Sequence, residues 1–298
     1  MAGCKNATSL EDINISKRVY GKSLNKEIEI RSFGNTTVYA PKVFDSAKKI
    51  PTVLFIPGWS SKDHKDYSSL LNFIASQGYG VIYSICEKEK SANHFIERFL
   101  TTLESEELSK KFDITKIGVV GHSSGGGISF KVMSEFLEKG FGKDGRFIFS
   151  MSSWFAFEMR SDDLQNLGVD TKIVMQEFSS DFTTDPRISL TLFSKLKVSE
   201  NKNRDYQVYK GDHSYPMGDK SYDKMQAVLK PLDALMDNVF NKNQTAYNEA
   251  LNVETNETII LKESSFYPFN CKGNSADIAL ISLLDEYGID YCTMDVLK

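Results

Sequence analysis

The sequence predicts an α/β fold in which a mostly parallel central sheet has helices on both faces and is followed by a C-terminal extension. Three observations lead to this prediction. Short apolar runs alternate with segments of helical periodicity along residues 51–241, which implies right-handed crossovers between parallel strands. The run at residues 51–56 is apolar almost throughout, as expected for a strand buried on both faces. The strand at residues 116–120 turns sharply at Gly121 and leads directly into a helical pattern.

The composition is that of an ordinary globular protein with one large domain or two small ones. Of the 298 residues, 41% are hydrophobic and 26% are charged, so the chain can bury a substantial core. The formal net charge of -4 argues against a nucleic-acid partner held through phosphate contacts. The pattern divides the chain into a flexible lead-in at residues 1–14, a main domain at 15–241 and a C-terminal extension at 242–298.

The first half of the main domain begins with short strands and continues with helical stripes. Glycine and asparagine residues separate the opening strands, which are therefore expected to form an antiparallel meander. Leu70, Leu71 and Ile74 follow helical spacing, and Gly78 ends that helix. The predicted elements are, in order, strands at residues 15–20, 28–33, 37–39 and 51–56, a helix at 67–77, a strand at 79–85 and a helix at 88–112.

The second half continues the alternation and then changes character. Pro231 is expected to interrupt the last helix of the main domain, because proline has no N–H to donate. Beyond residue 242 the sequence becomes polar, and this extension is expected either to pack on the main sheet or to form a small cap. The predicted elements after Gly121 are a helix with apolar positions from Ile128 to Leu137, strands at 146–151, 172–178 and 206–209, an irregular segment at 152–167, helices at 187–196 and 221–241, and, in the extension, a strand at 258–261 and a helix at 276–287.

Residues 121–125 read Gly-His-Ser-Ser-Gly and match the Gly-x-Ser-x-Gly pattern of a nucleophile elbow. The strand before the turn and the helix after it are the context that this motif requires. Gly121 and Gly125 are expected because side chains at these positions would collide in so tight a turn, which holds Ser123 in a strained conformation. The turn presents the Ser123 hydroxyl and directs the Ser124 N–H, at the start of the helix, towards a developing oxyanion.

A serine nucleophile needs a base, and the base needs a third group that orients it. Of the four histidines, His213 is the candidate base because it follows the last predicted strand of the main domain. Loops at the carboxyl ends of parallel strands are where ligands bind in open α/β sheets. His64 lies in an earlier loop and His94 on a predicted helix. His122 lies inside the turn, and its side chain is expected to point away from the apex in a structural role.

The orienting acid is expected between the serine and the histidine in chain order. Asp181 is the first carboxylate beyond the predicted strand at residues 172–178, where a short turn can reach His213. Asp185 follows one loop later and is the alternative. It also fits the N-cap of the next helix, with Pro186 at the first helical position.

A second oxyanion donor is expected from the turn that follows the buried strand at residues 51–56. The Trp59 N–H could complement the Ser124 N–H there, and the Trp59 side chain either lines the substrate site or packs in the core. Trp154, Phe155 and Phe157 either form an apolar wall or partial lid over the site, with Trp154 as a substrate-binding residue, or fill the core beneath a helix.

Four blocks of the sequence resemble a known superfamily when they are taken together. They are Phe55-Ile56-Pro57-Gly58-Trp59, Ala75-Ser76-Gln77-Gly78-Tyr79, Gly121-His122-Ser123-Ser124-Gly125-Gly126-Gly127 and Gly211-Asp212-His213-Ser214. In kind and order these blocks resemble the α/β-hydrolase superfamily, in particular its dienelactone-hydrolase and cutinase-like polyesterase branch. The resemblance covers about residues 37–240.

The resemblance implies an α/β-hydrolase fold, a Ser123, Asp181 and His213 triad, and oxyanion donors at Trp59 and Ser124. Two departures stand against it. That branch usually carries Gly-x-x-Asp at the acid, whereas Phe178-Ser179-Ser180-Asp181 lacks the glycine, which leaves the alternative acid open. The dienelactone enzymes use a cysteine nucleophile where this chain has a serine.

These features predict a serine esterase that forms an acyl-enzyme on Ser123 with a small-molecule or lipid-like ester, without a cofactor. Alkoxide leaving groups need less acid assistance than amines, which favours esters. An amidase or peptidase on the same triad is the first alternative, and a non-catalytic binding protein with this fold is the second. A metal-dependent hydrolase is disfavoured, because the histidines show no His-x-x-x-His spacing and the cysteines no Cys-x-x-Cys spacing.

The sequence leaves the cellular location open. Met1-Ala2-Gly3-Cys4 resembles the end of a bacterial lipoprotein signal, which would indicate the cell envelope, but it is also compatible with a chance tripeptide in a cytoplasmic protein. Cys271 and Cys292 could close a loop worth roughly 3 kcal/mol in an oxidising compartment, or they could be two buried thiols. We find no apolar run long enough to span a bilayer.

Overall fold

The computed structural model describes residues 18–43, 47–59, 61–86, 91–198 and 202–251. Several predictions lie outside these residues. They are the lead-in at 1–14 with Met1-Ala2-Gly3-Cys4, the pair Cys271 and Cys292, the strand at 258–261 and the helix at 276–287.

An eight-stranded sheet forms the centre of the described chain. Its strands are β1 (Ile28–Phe33), β2 (Thr36–Pro41), β3 (Ile50–Ile56), β4 (Gly80–Ser84), β5 (Phe112–His122), β6 (Gly145–Met151), β7 (Lys172–Phe178) and β8 (Arg204–Tyr209). The spatial order is β1-β2-β4-β3-β5-β6-β7-β8. β2 runs antiparallel to both of its neighbours, β1 and β4, and every other neighbouring pair is parallel. The predicted α/β class with a mostly parallel sheet is therefore confirmed.

Helices cover both faces of the sheet. They are α1 (Ser68–Ser76), α2 (Ala92–Leu103), α3 (Glu106–Lys111), α4 (Ser124–Glu138), α5 (Ser161–Gln165), α6 (Pro186–Lys195), α7 (Gln226–Phe240) and α8 (Tyr247–Leu251). Successive residues of β3 point to opposite faces. Leu54 and Ile56 join a core cluster with α2, α4 and α6, whereas Val53 and Phe55 join a second cluster with α1, α7 and α8. The apolar run at residues 51–56 is therefore a central strand, as its composition predicts.

The first predicted strand, at residues 15–20, is wrong where the structure describes it. Residues 18–20 are not part of the sheet, and the side chains of Arg18 and Tyr20 contact α7 instead. Arg18 Nη2 lies 2.5 Å from Asp233 Oδ1, and the Tyr20 hydroxyl donates to Asp237 Oδ2 at 2.8 Å. These contacts with two buried carboxylates hold the segment on a helix rather than on the sheet edge.

The predicted long helix at residues 88–112 is two helices, α2 and α3, followed by the start of β5 at Phe112. The break falls at Ser105, whose hydroxyl accepts a hydrogen bond from the Leu108 N–H at 3.4 Å and so caps a new helix. The segment at residues 152–167 is irregular as predicted, apart from the short helix α5.

The predicted interruption at Pro231 is also wrong, because α7 continues through this residue. Proline cannot donate to the carbonyl four residues earlier, which belongs to Ala227. That carbonyl accepts a hydrogen bond from Gln176 Nε2 of β7 at 2.9 Å instead. A side chain from the sheet thus satisfies the group that the proline leaves unpaired, and the helix does not have to break.

The described part of the C-terminal extension packs against the rest of the domain. Ala246, Ala250 and Leu251 are buried in the core cluster that lies under α7. Gln207 Nε2 of β8 donates to the Ala250 carbonyl at 3.0 Å. None of the helices in the described ranges is long and apolar enough to cross a membrane.

Candidate active site

Ser123 lies between the last residue of β5 and the first residue of α4, in a backbone conformation that L-residues rarely adopt. Its φ is 56° and its ψ is -123°. The Ser123 N–H donates to the Met151 carbonyl at 2.9 Å, and the Trp154 N–H donates to the Ser123 carbonyl at 3.0 Å. Such backbone strain costs about 1–3 kcal/mol and persists only where the surroundings fix it. The end of β6 provides those surroundings here.

The glycines on either side of the turn are required by close approach of the backbone. A Cβ atom on Gly121 would lie 2.2 Å from the Gly125 carbonyl oxygen. A Cβ atom on Gly125 would lie 2.2 Å from the Ile56 carbonyl oxygen, at the end of β3. The predicted collision of side chains at these two positions is confirmed, and it arises because α4 begins directly against the neighbouring strand.

His213 and Asp181 meet beyond the ends of β8 and β7. His213 Nδ1 lies 2.7 Å from Asp181 Oδ2. The Asp181 side chain is buried, whereas 19% of the His213 side chain is exposed, so the imidazole remains accessible from solvent. Asp185 takes a different role: its carboxylate caps α6 by accepting from the Arg187 N–H at 2.9 Å and forms an ion pair with the Arg187 guanidinium.

The surroundings of Asp181 keep its carboxylate ionised. Burial raises the pKa of this group, but the hydrogen bond and the charge of His213, with further hydrogen bonds, outweigh burial and bring the pKa down to about 2. Besides His213, the donors are the Thr183 N–H at 2.8 Å, the Thr184 N–H at 3.2 Å and the Thr184 hydroxyl at 2.9 Å. Because an ionised carboxylate only accepts, the proton of the His213 contact lies on Nδ1. A neutral His213 then has Nε2 free to accept a proton.

The Ser123 hydroxyl does not form a hydrogen bond with His213 in the part of the chain that the structure describes. The ring of His122, the residue before Ser123, has its centroid 4.5 Å from that of His213. Catalytic hydrogen bonds are often long without substrate and shorten when it binds. The buried His122 ring, which the sequence predicts to be a structural or supporting group, lies against the candidate base.

The two residues expected to donate to an oxyanion both lie next to Ser123 along the chain or in space. Ser124 is the first residue of α4, so its N–H has no acceptor within the helix. Gly58, at the end of β3, lies so close that a Cβ atom there would be 3.3 Å from Ser123 Cβ. Trp59 follows Gly58 in this loop, and 49% of its side chain is exposed.

The aromatic segment after β6 packs in the core and on α4, which is one of the two roles that the sequence leaves open. Phe155 is buried in the core, and its carbonyl oxygen would lie 1.8 Å from a Cβ atom on Gly127, so the segment packs tightly on α4. Trp154 is partly buried and packs edge-on against Phe155, with 5.0 Å between the centroids. Phe157 packs against the same cluster. Trp154 borders Ser123 through the backbone hydrogen bond to the Ser123 carbonyl.

Four residues near the site were not among the functional residues that the sequence predicts. Tyr67 and His122 form a hydrogen-bonded pair beneath the turn, with Tyr67 Oη 2.8 Å from His122 Nδ1. Phe182, next to Asp181, has 36% of its surface exposed. Glu177 is buried at the end of β7 and accepts from the Ser153 N–H at 3.2 Å. Only the position of His122 beside Ser123 is a signal that the sequence could have offered.

Two further observations concern the other candidate ligands in the chain. His64 contacts the Tyr39 hydroxyl through Nδ1, beneath the loop that carries Trp59. Among the described residues, no three His, Cys, Asp or Glu side chains are grouped so that they could hold a metal ion.

In comparisons with known proteins, no family model matches the chain, and no curated protein matches its sequence.

Proposed function

We propose that this chain is a serine hydrolase of the α/β-hydrolase fold that cleaves carboxylic esters through an acyl-enzyme on Ser123. The observation that carries the proposal is the hydrogen bond between His213 and Asp181. This hydrogen bond fixes the tautomer of an accessible imidazole. The imidazole lies at the same end of the sheet as Ser123, which has a strained backbone in a strand–turn–helix. A buried serine turn alone would connect two elements without any need for this pair.

In the proposed mechanism, His213 Nε2 accepts the Ser123 proton while Ser123 Oγ attacks the ester carbonyl carbon. The carbonyl oxygen becomes an oxyanion, which the N–H groups of Ser124 and Trp59 stabilise. The intermediate collapses, the bond to the alkoxide breaks, and the alkoxide takes the proton from His213. A water molecule then gives a proton to His213 and attacks the acyl carbon. The bond from that carbon to Ser123 Oγ breaks, Ser123 Oγ takes the proton back from His213, and the acid is released, while Asp181 orients His213 throughout.

The surroundings of the proposed nucleophile favour an ester with an apolar part. Trp59 and Phe182 are among the exposed large hydrophobic side chains of the described chain. Trp59 is the proposed second oxyanion donor, and Phe182 follows Asp181 in the chain. A small-molecule or lipid-like ester fits this setting. An amidase or peptidase would use the same groups with a poorer leaving group. A non-catalytic binding protein would not need the strained backbone at Ser123.

The test is covalent labelling with a fluorophosphonate, together with hydrolysis of p-nitrophenyl acetate, butyrate and octanoate beside the matching anilides. The wild type is expected to be labelled and to hydrolyse the esters, and Ser123→Ala is expected to do neither. Ser32→Ala, which changes an exposed serine of β1, is the matched control and is expected to behave as the wild type. Labelling with turnover of anilides alone would favour an amidase. No labelling of the wild type would rule out a competent serine hydrolase.

A further inference from the structure

A tyrosine hydroxyl beneath the turn connects the loop of Trp59 to the residue before the nucleophile. The Gly58 N–H donates to Tyr67 Oη at 2.9 Å, and Tyr67 Oη lies 2.8 Å from His122 Nδ1. A backbone N–H can only donate, so Tyr67 Oη is the acceptor in the first contact. We assign the single proton of the buried hydroxyl to His122 Nδ1, since this nitrogen is its one acceptor among the described residues, and Nδ1 is then the unprotonated nitrogen of the ring.

The same bond fixes the protonation state of His122. A neutral ring with an accepting Nδ1 carries its proton on Nε2. His122 is buried, with 1% of its surface exposed. Burial, together with the neighbouring His213, lowers the pKa of His122 well below its usual range. The ring that packs against His213 is therefore an uncharged one in a single tautomer.

The geometry of the loop shows how closely these groups are fitted together. A Cβ atom on Gly58 would lie 3.3 Å from Ser123 Cβ, 3.3 Å from the Tyr67 hydroxyl and 3.5 Å from His122 Nδ1. The main chain at Gly58 thus passes between the nucleophile and the Tyr67–His122 pair. Any shift of the Gly58 amide also moves the next amide, that of Trp59, which is the proposed second oxyanion donor.

We propose that Tyr67 and His122 are positioning residues: the Tyr67 hydroxyl holds the Gly58 amide and the tautomer of His122, and the His122 ring holds His213 in line with Asp181. This inference rests on the proposed hydrolase function. Neither residue touches the reacting atoms in this assignment. They act on rate through the oxyanion loop and through the orientation of the base.

The Tyr67→Phe variant separates this role from simple packing. It keeps the ring in the core but leaves the Gly58 N–H and His122 Nδ1 without their partner. Misplacement of catalytic groups by about 1 Å can cost 10²-fold in rate, so kcat is expected to fall by about 10- to 100-fold while KM changes by less than about twofold. Tyr79→Phe is the matched control, because Tyr79 is also buried and its hydroxyl accepts a hydrogen bond from Asn241 Nδ2. This variant is expected to keep the wild-type rate.

Two substitutions at His122 separate the hydrogen bond from the ring contact. His122→Asn provides an oxygen near the position of Nδ1 that can accept from Tyr67 but removes the ring, whereas His122→Phe keeps a ring and removes the acceptor. In a double-mutant cycle, Tyr67→Phe is expected to cost less in His122→Phe than in the wild type, because the bond between the two residues is already absent and only the contact with the Gly58 N–H remains to be lost. Additive losses of rate would show that the two residues act separately, which would overturn the proposal that they position the site as a pair.

The decisive experiment measures the rate of fluorophosphonate labelling for the wild type and each variant, and the ¹⁵N chemical shifts of His122 in the wild type. The proposal is supported by slow labelling of Tyr67→Phe and by a neutral His122 ring with its proton on Nε2. If the wild type is labelled and Tyr67→Phe is labelled equally fast, the positioning role is wrong while the hydrolase stands. If the wild type is not labelled, the hydrolase proposal fails and the positioning role falls with it. The nitrogen shifts need no folded variant, and a proton on Nδ1 would overturn the proposal by itself.

Discussion

The Asp181 carboxylate contacts His213 Nδ1 at 2.7 Å, whereas Asp185, the other acid that the sequence allows, caps α6. The two aspartates follow the same strand, and both are buried. They differ in the groups that surround them, since Asp181 accepts from His213 and from two threonines, and Asp185 pairs with Arg187. The positions of their partners thus assign them different roles.

Asp181→Asn is expected to lower kcat by roughly 10³- to 10⁴-fold, because an asparagine can donate to His213 and stabilise the wrong tautomer. Asp185→Asn is the matched control. Asparagine caps helices about as well as aspartate, so this variant is expected to lose some stability with its Arg187 pair but to keep most of its activity. Ester hydrolysis by both variants provides the measurement. Equal losses in the two would mean that Asp181 has no special part in the reaction.

Glu177 gives the fold a dependence on pH that Glu177→Gln should remove. Burial, with the nearby negative charge of Asp181 as a smaller cause, raises the pKa of Glu177 from its usual 4.5 to about 8. The folded state therefore holds a proton that the unfolded chain releases. This contribution to stability is complete below pH 4.5 and is lost as the pH rises through 8. At pH 8 or above, the glutamine variant is expected to be more stable than the wild type by roughly 2–5 kcal/mol.

Thermal unfolding from pH 5 to pH 9 measures this effect. Glutamine can still accept from the Ser153 N–H, so the substitution removes only the charge. Glu106→Gln is a suitable control, because Glu106 is exposed and pairs with Lys110 on the surface of α3, where such pairs are worth little. A difference between Glu177→Gln and the wild type that stays constant across this pH range would show that Glu177 is already ionised in the folded protein.

Gly125→Ala is expected to damage the fold as well as the site, because its Cβ would lie 2.2 Å from one backbone oxygen and 2.4 Å from another. Overpacking in a well-packed core costs about 1–3 kcal/mol or more, and here backbone rather than a flexible side chain must move. Gly34→Ala provides the comparison, since that site has a φ of 57° but open space around it. Its cost is expected to be about 1–2 kcal/mol from the backbone alone. Urea unfolding of both variants tests the difference, and equal costs would refute the steric argument.

Local patterns explain how much of the fold and the site the sequence could predict. The strand at residues 51–56 is predicted by its apolar run. The strand–turn–helix around Ser123 is predicted by periodicity and by glycines at positions where a side chain would collide. His213 could be found because the loops after parallel strands meet at one edge of the sheet. Each of these inferences uses residues that are neighbours in sequence or a rule about the sheet as a whole.

The remaining features depend on contacts between residues that are far apart in sequence. Tyr67 could not be linked to His122, because 55 positions separate the two. The contact between Arg18 and Asp233 of α7 could not be predicted, because 215 positions separate the two residues. Residues 15–20 therefore resembled a strand. The helix through Pro231 belongs to the same group, since the compensating donor lies on a strand. Local propensity gave the wrong answer where a distant side chain satisfied the backbone.

The contact between Gln176 and the Ala227 carbonyl leads to a prediction about α7. Gln176→Leu removes the donor to this carbonyl and to Gln207 Oε1, which lies 2.8 Å away, and is expected to cost about 1–3 kcal/mol of unfolding free energy. In a Pro231→Ala background, the new N–H at position 231 can bond to the Ala227 carbonyl. There the same Gln176→Leu change is expected to cost about 1 kcal/mol less.

Gln207→Leu is the control for this cycle, because it removes the same contact between the two glutamines but leaves the Ala227 carbonyl paired. Its cost is expected to be the same whether residue 231 is proline or alanine, since the two positions share no hydrogen bond. Urea unfolding of the six proteins gives all the differences needed. A cost of Gln176→Leu that does not depend on residue 231 would mean that the helix tolerates its proline for another reason. A cost that does depend on it would establish that a strand side chain replaces the missing backbone donor of the helix.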